Sequence, residues 1–197
     1  RRDAPPQRPR PEALEESDPM SPSAAVQELA DAFPADGIVV LESPSATLAL
    51  RNRLRLDKPG SYYFGAGGGL GFGVSAALGV QLAQPERPVV CVVGEGSAQY
   101  AIQGFWTASA YSVPVTFLVL RNEEYAILKW FGMLENVSGA PGLDLPKLDV
   151  ASVAEGYGVS ARRVTETGEL GDALREAIAA EEPRVVEVRV TPGMALT

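Results

Sequence analysis

The chain of 197 residues is 46% apolar and carries 25 acidic against 17 basic residues, for a formal charge of −8. That negative field argues against nucleic acid or an anionic membrane surface as the main partner. Histidine is absent and Cys91 stands alone, which removes imidazole as a general base or metal ligand and removes any intrachain disulfide. No stretch of about 18 apolar residues and no charged-then-apolar leader is read, so a cytoplasmic protein without a membrane span is expected.

Residues 1 to 22 hold six of the 16 prolines together with clustered charges. They lack an apolar period that could bury a face and read as a linker, so residues 23–197 are expected to form one domain of a longer protein. From Ser23 the pattern alternates between helix and strand. A helix is predicted over 23–33, a buried strand over 37–41 (GIVVL) and a second helix over 45–54. The glycine tract SYYFGAGGGLGFG follows, then an Ala-rich helix ending near Ala83 before Pro85 and Pro88. RPVVCVV at 87–93 is the next strand, 97–111 a helix, and VTFLVL at 115–120 a strand apolar on both faces. Helices over 149–157 and 169–180 and a final strand RVVEVRV at 184–190 complete the series. Continuous apolar strands between helices predict an α/β fold with a mostly parallel sheet covered on both sides.

In such sheets ligands bind beyond the carboxyl ends of the strands. Four turns are expected there: 42–47 (ESPSAT), 65–71, 94–97 (GEGS) and 121–125 (RNEEY). The glycine tract matches neither the G-x-G-x-x-G fingerprint nor the phosphate loop ending in Gly-Lys-Ser/Thr. The GEGS turn offers the carboxylate of Glu95 between two glycines, a seat for a diphosphate and a metal, although a lone acid there also serves as a helix cap. Asn122, 27 residues further on, follows the next strand and brings an amide oxygen to the same edge. The main-chain carbonyl of Glu124 extends this oxygen set.

These residues resemble a known family, the thiamine diphosphate (ThDP) dependent 2-oxo acid decarboxylases, and within it the benzoylformate decarboxylase members most. The family signature, Gly-Asp-Gly-Ser followed after about 25 to 30 residues by Asn-Asn, is matched here by Gly94-Glu95-Gly96-Ser97 and Arg121-Asn122. PGSYYFGAGGGLGFG, GVQLAQPERPVV and YAILKWF add to the likeness, which runs without obvious gaps from about residue 37 to 131.

The resemblance implies the diphosphate-binding domain of the ThDP fold, with Mg²⁺ held by Glu95, Asn122 and the main-chain oxygen of Glu124. Gly96, Ser97 and Tyr125 would adjoin the diphosphate, and Ser45 and Thr47 would offer hydroxyls. Gly68 and Gly69 would face the aminopyrimidine, Leu70 would bend the cofactor, and Phe64, Ile127, Leu128 and Phe131 would border the substrate. It further implies that no catalytic acid or base lies within this chain. The activating glutamate and the histidines belong to other domains, the glutamate to the pyrimidine-binding domain of a neighbouring subunit in a homodimer or homotetramer.

Five positions depart from the family pattern. Glu95 stands for Asp, Arg121 for Asn, and Glu124 and Pro44 for hydroxyl residues, while Ile127 replaces a small alanine and implies preference for smaller or aliphatic 2-oxo acids. An acetolactate synthase-like carboligase domain and a cofactor-free assembly domain of the same fold are the alternatives.

Overall fold

The computed structural model describes residues 14, 17–165 and 168–196. Helix α1 spans Pro22–Ala32, with the Ser21 hydroxyl accepting the Ala24 N–H at its start. The strands are β1 (Ile38–Glu42), β2 (Tyr62–Phe64), β3 (Val89–Gly94), β4 (Val115–Arg121), β5 (Ser160–Val164) and β6 (Arg184–Arg189). The remaining helices are α2 (Thr47–Arg53), α3 (Gly73–Ala83), α4 (Glu95–Ala98), α5 (Gly104–Ala110), α6 (Ala126–Leu134), α7 (Val150–Gly156) and α8 (Leu170–Ala179), with a 3-10 turn at Pro44–Ala46 leading into α2.

All six strands pair in parallel in the order β2-β1-β3-β4-β6-β5. The expected α/β class with a parallel sheet is therefore the observed one. Alternate residues of each central strand serve opposite layers. Val90, Val92, Leu118 and Val186 pack with Leu29 of α1, Leu50 of α2 and Leu174 of α8. Val40, Cys91, Val93 and Phe117 pack with Val74 of α3, Phe105 of α5 and Val150 of α7. Burial on both faces is the physical reason for apolar runs without a polar alternate. The two phenylalanine rings at 105 and 117 meet edge-on, with centroids 5.1 Å apart.

Several elements differ from the sequence reading. The single helix predicted over 97–111 is broken: α4 ends at Ala98, turns occupy the next residues, and α5 begins at Gly104. β2, β5 and α6 were not predicted. Most of the linker-like segment lies outside the described residues, but Met20 is 4% exposed, bridges in parallel to Val190 and belongs to the core. Among the described residues no helix is long and apolar enough to cross a membrane.

Candidate functional site: an acidic cleft at the strand ends

From β1 the chain steps outward to the edge strand β2, then returns to place β3 on the other side of β1. The connections beyond β1 and β3 thus diverge and leave a crevice, as parallel α/β sheets do where their order reverses. A cavity of about 330 Å³ lies there. Its walls are Ser43 to Ser45 after β1, Gly68 and Leu70 of the glycine tract, Gly94 to Ser97 after β3, and Asn122 with Glu124 to Leu128 and Phe131 after β4. All the expected site residues border it except Thr47, Gly69 and Phe64. These three line an adjoining cleft of about 170 Å³ that shares Ser43, Pro44, Gly68 and Leu70 with the first.

Glu95 is 1% exposed, yet no lysine or arginine pairs with it among the described residues. Its Oε1 accepts the main-chain N–H groups of Asn122 (3.1 Å) and Glu123 (2.6 Å). Burial pushes its carboxyl up to about 7, against the opposing pull of those N–H donors. Asn122 is also buried, and its Oδ1 accepts the Glu124 N–H at 3.2 Å, a local turn that fixes the amide and leaves a second lone pair on the oxygen.

Glu124 differs from Glu95 because both its carboxylate oxygens are engaged, Oε1 by the Gly193 N–H and Oε2 by Lys129. The lining therefore holds one buried, uncompensated carboxylate. Among the described residues no three His, Cys, Asp or Glu side chains cluster to hold a metal. A cation at Glu95 would draw on the Asn122 amide, main-chain carbonyls and ligand oxygens, the hard donor set that Mg²⁺ uses with a phosphate ligand. The residues present thus fit a magnesium diphosphate. Ser43 agrees with a polar occupant, since its hydroxyl is buried on the border of both clefts without a hydrogen-bond partner among the described residues.

Of the two glycines flanking Glu95, only Gly96 has no room for a side chain. A β-carbon there would stand 2.5 Å from Cε1 of Tyr125 and 2.8 Å from Leu145, whereas at Gly94 the nearest atom is Ser97 Oγ at 3.7 Å. Burial, with Tyr100 beside it, holds the Tyr125 hydroxyl above its usual range. Thr47 does not present a free hydroxyl, because its Oγ1 donates to the Ser43 carbonyl at 3.1 Å.

Three supports of the site were not read from the sequence. Glu42, at the end of β1, accepts N–H groups from Gly71 (2.5 Å), Phe72 (3.1 Å) and Gly73 (2.7 Å), fixing the glycine tract and the start of α3. Glu187 caps α7 through the Val150 and Ala151 N–H groups and also pairs with Arg121. Arg121, further paired with Glu123 at 2.7 Å, is absorbed in this scaffold and does not border the cleft. The segment after β6 is the third, joined to the turns by Gly193 and Ala195. The signal is a charged residue within an apolar strand, Glu42 at the end of β1 and Glu187 inside β6, or a glycine beyond one, Gly193; the partner lies too far along the chain to infer.

Comparison with known proteins agrees with this geometry. The model of the thiamine pyrophosphate enzyme C-terminal TPP binding domain matches residues 43–188. Over 181 residues the chain is 46% identical to benzoylformate decarboxylase of Pseudomonas aeruginosa, covering 91% of this chain and 34% of that protein. The structure of a thiamine diphosphate-dependent 4-hydroxybenzoylformate decarboxylase from Rhodococcus jostii RHA1 aligns with a TM-score of 0.91 and 38% identity, over 100% of this chain and 37% of that one. Benzoylformate decarboxylase from Polynucleobacter necessarius aligns with a TM-score of 0.89 and 34% identity, over 96% and 36% respectively. The chain spans about a third of the length of these relatives. With the strand order, the cleft and the match over residues 43–188 in agreement, the chain belongs to the thiamine pyrophosphate enzymes, as their C-terminal TPP-binding domain.

Proposed function

We propose that this chain is the ThDP- and Mg²⁺-binding domain of a benzoylformate decarboxylase-like enzyme that converts a 2-oxo acid to an aldehyde and CO₂. The observation that carries the reading is Glu95, a buried carboxylate without a cationic partner, held beside Asn122 where three strand-end turns converge. Glu95, Asn122 and the main-chain oxygen of Glu124 hold the metal. Gly96 and Ser97 adjoin the diphosphate, while Gly68 and Leu70 face the rings. When bound, ThDP supplies the electron sink that makes loss of CO₂ feasible.

The chain's own part is to bind, orient and exclude water. The acid-base groups come from the pyrimidine-binding domain and other parts of a cytoplasmic homodimer or homotetramer. Support for a covering partner comes from α6, whose Leu128, Met133 and Leu134 are exposed, more apolar surface than one short helix usually leaves bare. Leu128, with Ile127 and Phe131, forms the apolar end of the cleft, and the bulk of Ile127 favours a small or aliphatic 2-oxo acid.

Calorimetric titration of ThDP with Mg²⁺ into the longer protein that contains this domain tests the cofactor reading, and absence of heat at millimolar ligand refutes it. Product analysis with a panel of 2-oxo acids then separates aldehyde release from carboligation. Ile127→Ala should shift preference toward benzoylformate; a wild-type enzyme already fastest on benzoylformate contradicts the size argument.

A further inference from the structure

The segment after β6 lies across the strand-end face on a row of main-chain hydrogen bonds. The Thr191 N–H donates to the Met20 carbonyl (2.9 Å), the Gly193 N–H to Glu124 Oε1 (2.8 Å) and the Ala195 N–H to the Ser45 carbonyl (2.9 Å). Alternate amides are thus spent on three separate parts of the fold, two of them turns that border the cleft. Ala195 is 6% exposed and part of the core, so the far end is packed as well as bonded. Gly193 has φ +100° and no atom within 4 Å of where a β-carbon would stand. Its glycine answers a backbone need and not a lack of space, namely turning the N–H toward residue 124.

Glu124 is the junction of this arrangement. Its other oxygen meets Lys129 on α6, and Lys129 also pairs with Asp144, while the main chain of Glu124 bridges to Asp144. Directly, or through Lys129, the Glu124 side chain therefore ties α6, the loop at 144 and the segment after β6 together, at the residue whose carbonyl is proposed above to hold the metal.

We propose that the Glu124 side chain is a positioning residue and that residues 191–196, which do not themselves line the cleft, form a strap that braces the turns of the cofactor site. The strap holds the Ser45 turn and the Asn122 to Tyr125 turn in register, so that cofactor binding and the ordering of the strap favour each other. This inference rests on the ThDP and Mg²⁺ reading above. Reciprocity is required by linkage: if the strap tightens the bound state, the bound state tightens the strap.

The test combines hydrogen exchange at the Gly193 and Ala195 amides with calorimetry, using the longer protein with and without ThDP and Mg²⁺. Exchange at both amides should slow at least about tenfold on loading. Glu124→Ala should weaken Mg²⁺-dependent ThDP binding roughly tenfold or more, the usual effect of removing a group that supports a metal ligand. Glu124→Gln, which keeps an acceptor for the Gly193 N–H, should restore most of that loss. Wild-type exchange needs no variant and so stays informative if Glu124→Ala fails to fold. ThDP binding with unchanged exchange at 193 and 195 overturns the strap and leaves the cofactor reading intact. Absence of ThDP binding to the wild type overturns both.

Discussion

The ring of Tyr125 lies directly over Gly96, with its Cε1 2.5 Å from the place a β-carbon would take. Both residues border the cleft, Gly96 in the short helix α4 after β3 and Tyr125 at the start of α6 after the adjacent β4. Gly96→Ala should therefore push Tyr125 and the β4 turn outward, costing about 1–3 kcal/mol of stability and weakening ThDP binding. Gly94→Ala, with φ −76° and only ordinary contact at 3.7 Å, should leave both nearly unchanged. Thermal unfolding and calorimetric titration of the two variants side by side check the contrast, and equal effects would contradict it.

Glu42 organises the opposite wall. Its carboxylate accepts three N–H groups from residues 71–73, and removing it leaves those donors without their acceptor. Glu42→Ala is expected to lower stability by roughly 3 kcal/mol, read as a reduced urea midpoint. Glu42→Gln should fall between the two, because one of its two acceptor oxygens becomes a donor.

Glu95→Gln should act in opposite directions on stability and on binding. In the metal-free protein the carboxyl is held near 7 by burial, above its ordinary value. The folded state therefore binds a proton more readily than the unfolded state. The sign follows: stability from this group is complete below about pH 4 and declines as pH rises to about 7. At pH 8 the ionised form is a penalty on the order of 1–3 kcal/mol. The Gln variant keeps an acceptor for the Asn122 and Glu123 amides and carries no charge. It should be more stable than wild type at pH 8 without Mg²⁺, match it near pH 4, and lose Mg²⁺-dependent ThDP binding. Chemical denaturation at the two pH values tests the first half and titration the second.

Asp149, which does not line the cleft, provides a contrasting acid-side dependence. It caps α7 by accepting the Ser152 N–H at 2.9 Å, and Arg163 lies 3.0 Å from the same carboxylate. That N–H above all, with the Ser152 hydroxyl and Arg163, holds its carboxyl below the usual range. The resulting stability is present above the ordinary aspartate value near 4 and is lost as pH falls through the lowered one. Asp149→Ala should cost about 1 kcal/mol at pH 6, with the difference narrowing below pH 3 in urea titrations.

Much of this architecture was legible because burial on both faces leaves a plain mark in the chain. GIVVL, RPVVCVV, VTFLVL and RVVEVRV are the four central strands to within a residue or two. The edge strands were missed for the converse reason. SARRV at 160–164 turns two arginines to solvent, and YYF at 62–64 is short and half-exposed, so neither carries the apolar run of a covered strand. Helix α6 was missed because only Ala126 is buried on it. Its apolar residues face the cleft and the open surface, so they do not mark out a core-facing helix. Glu95 and Asn122 could be placed at the strand-end edge, where the cleft lies, because each follows a clear strand. Glu42 was passed over as one residue of a turn, since its partners lie 29 to 31 residues away and are backbone groups that any sequence would supply.

The links that close the cleft are all distant in sequence: 29 residues from Glu42 to Gly71, 27 from Glu95 to Asn122 and 69 from Glu124 to Gly193. Each turn arrives at the end of a separate crossover, so none of these links can form until its neighbouring strands have docked, and closures of this length are slow. The shape of the cleft thus depends on the docking of the strands that carry its turns. A ligand that fits it will discriminate a fully assembled sheet from a chain still missing its final strand, which makes cofactor retention a quality check on folding itself.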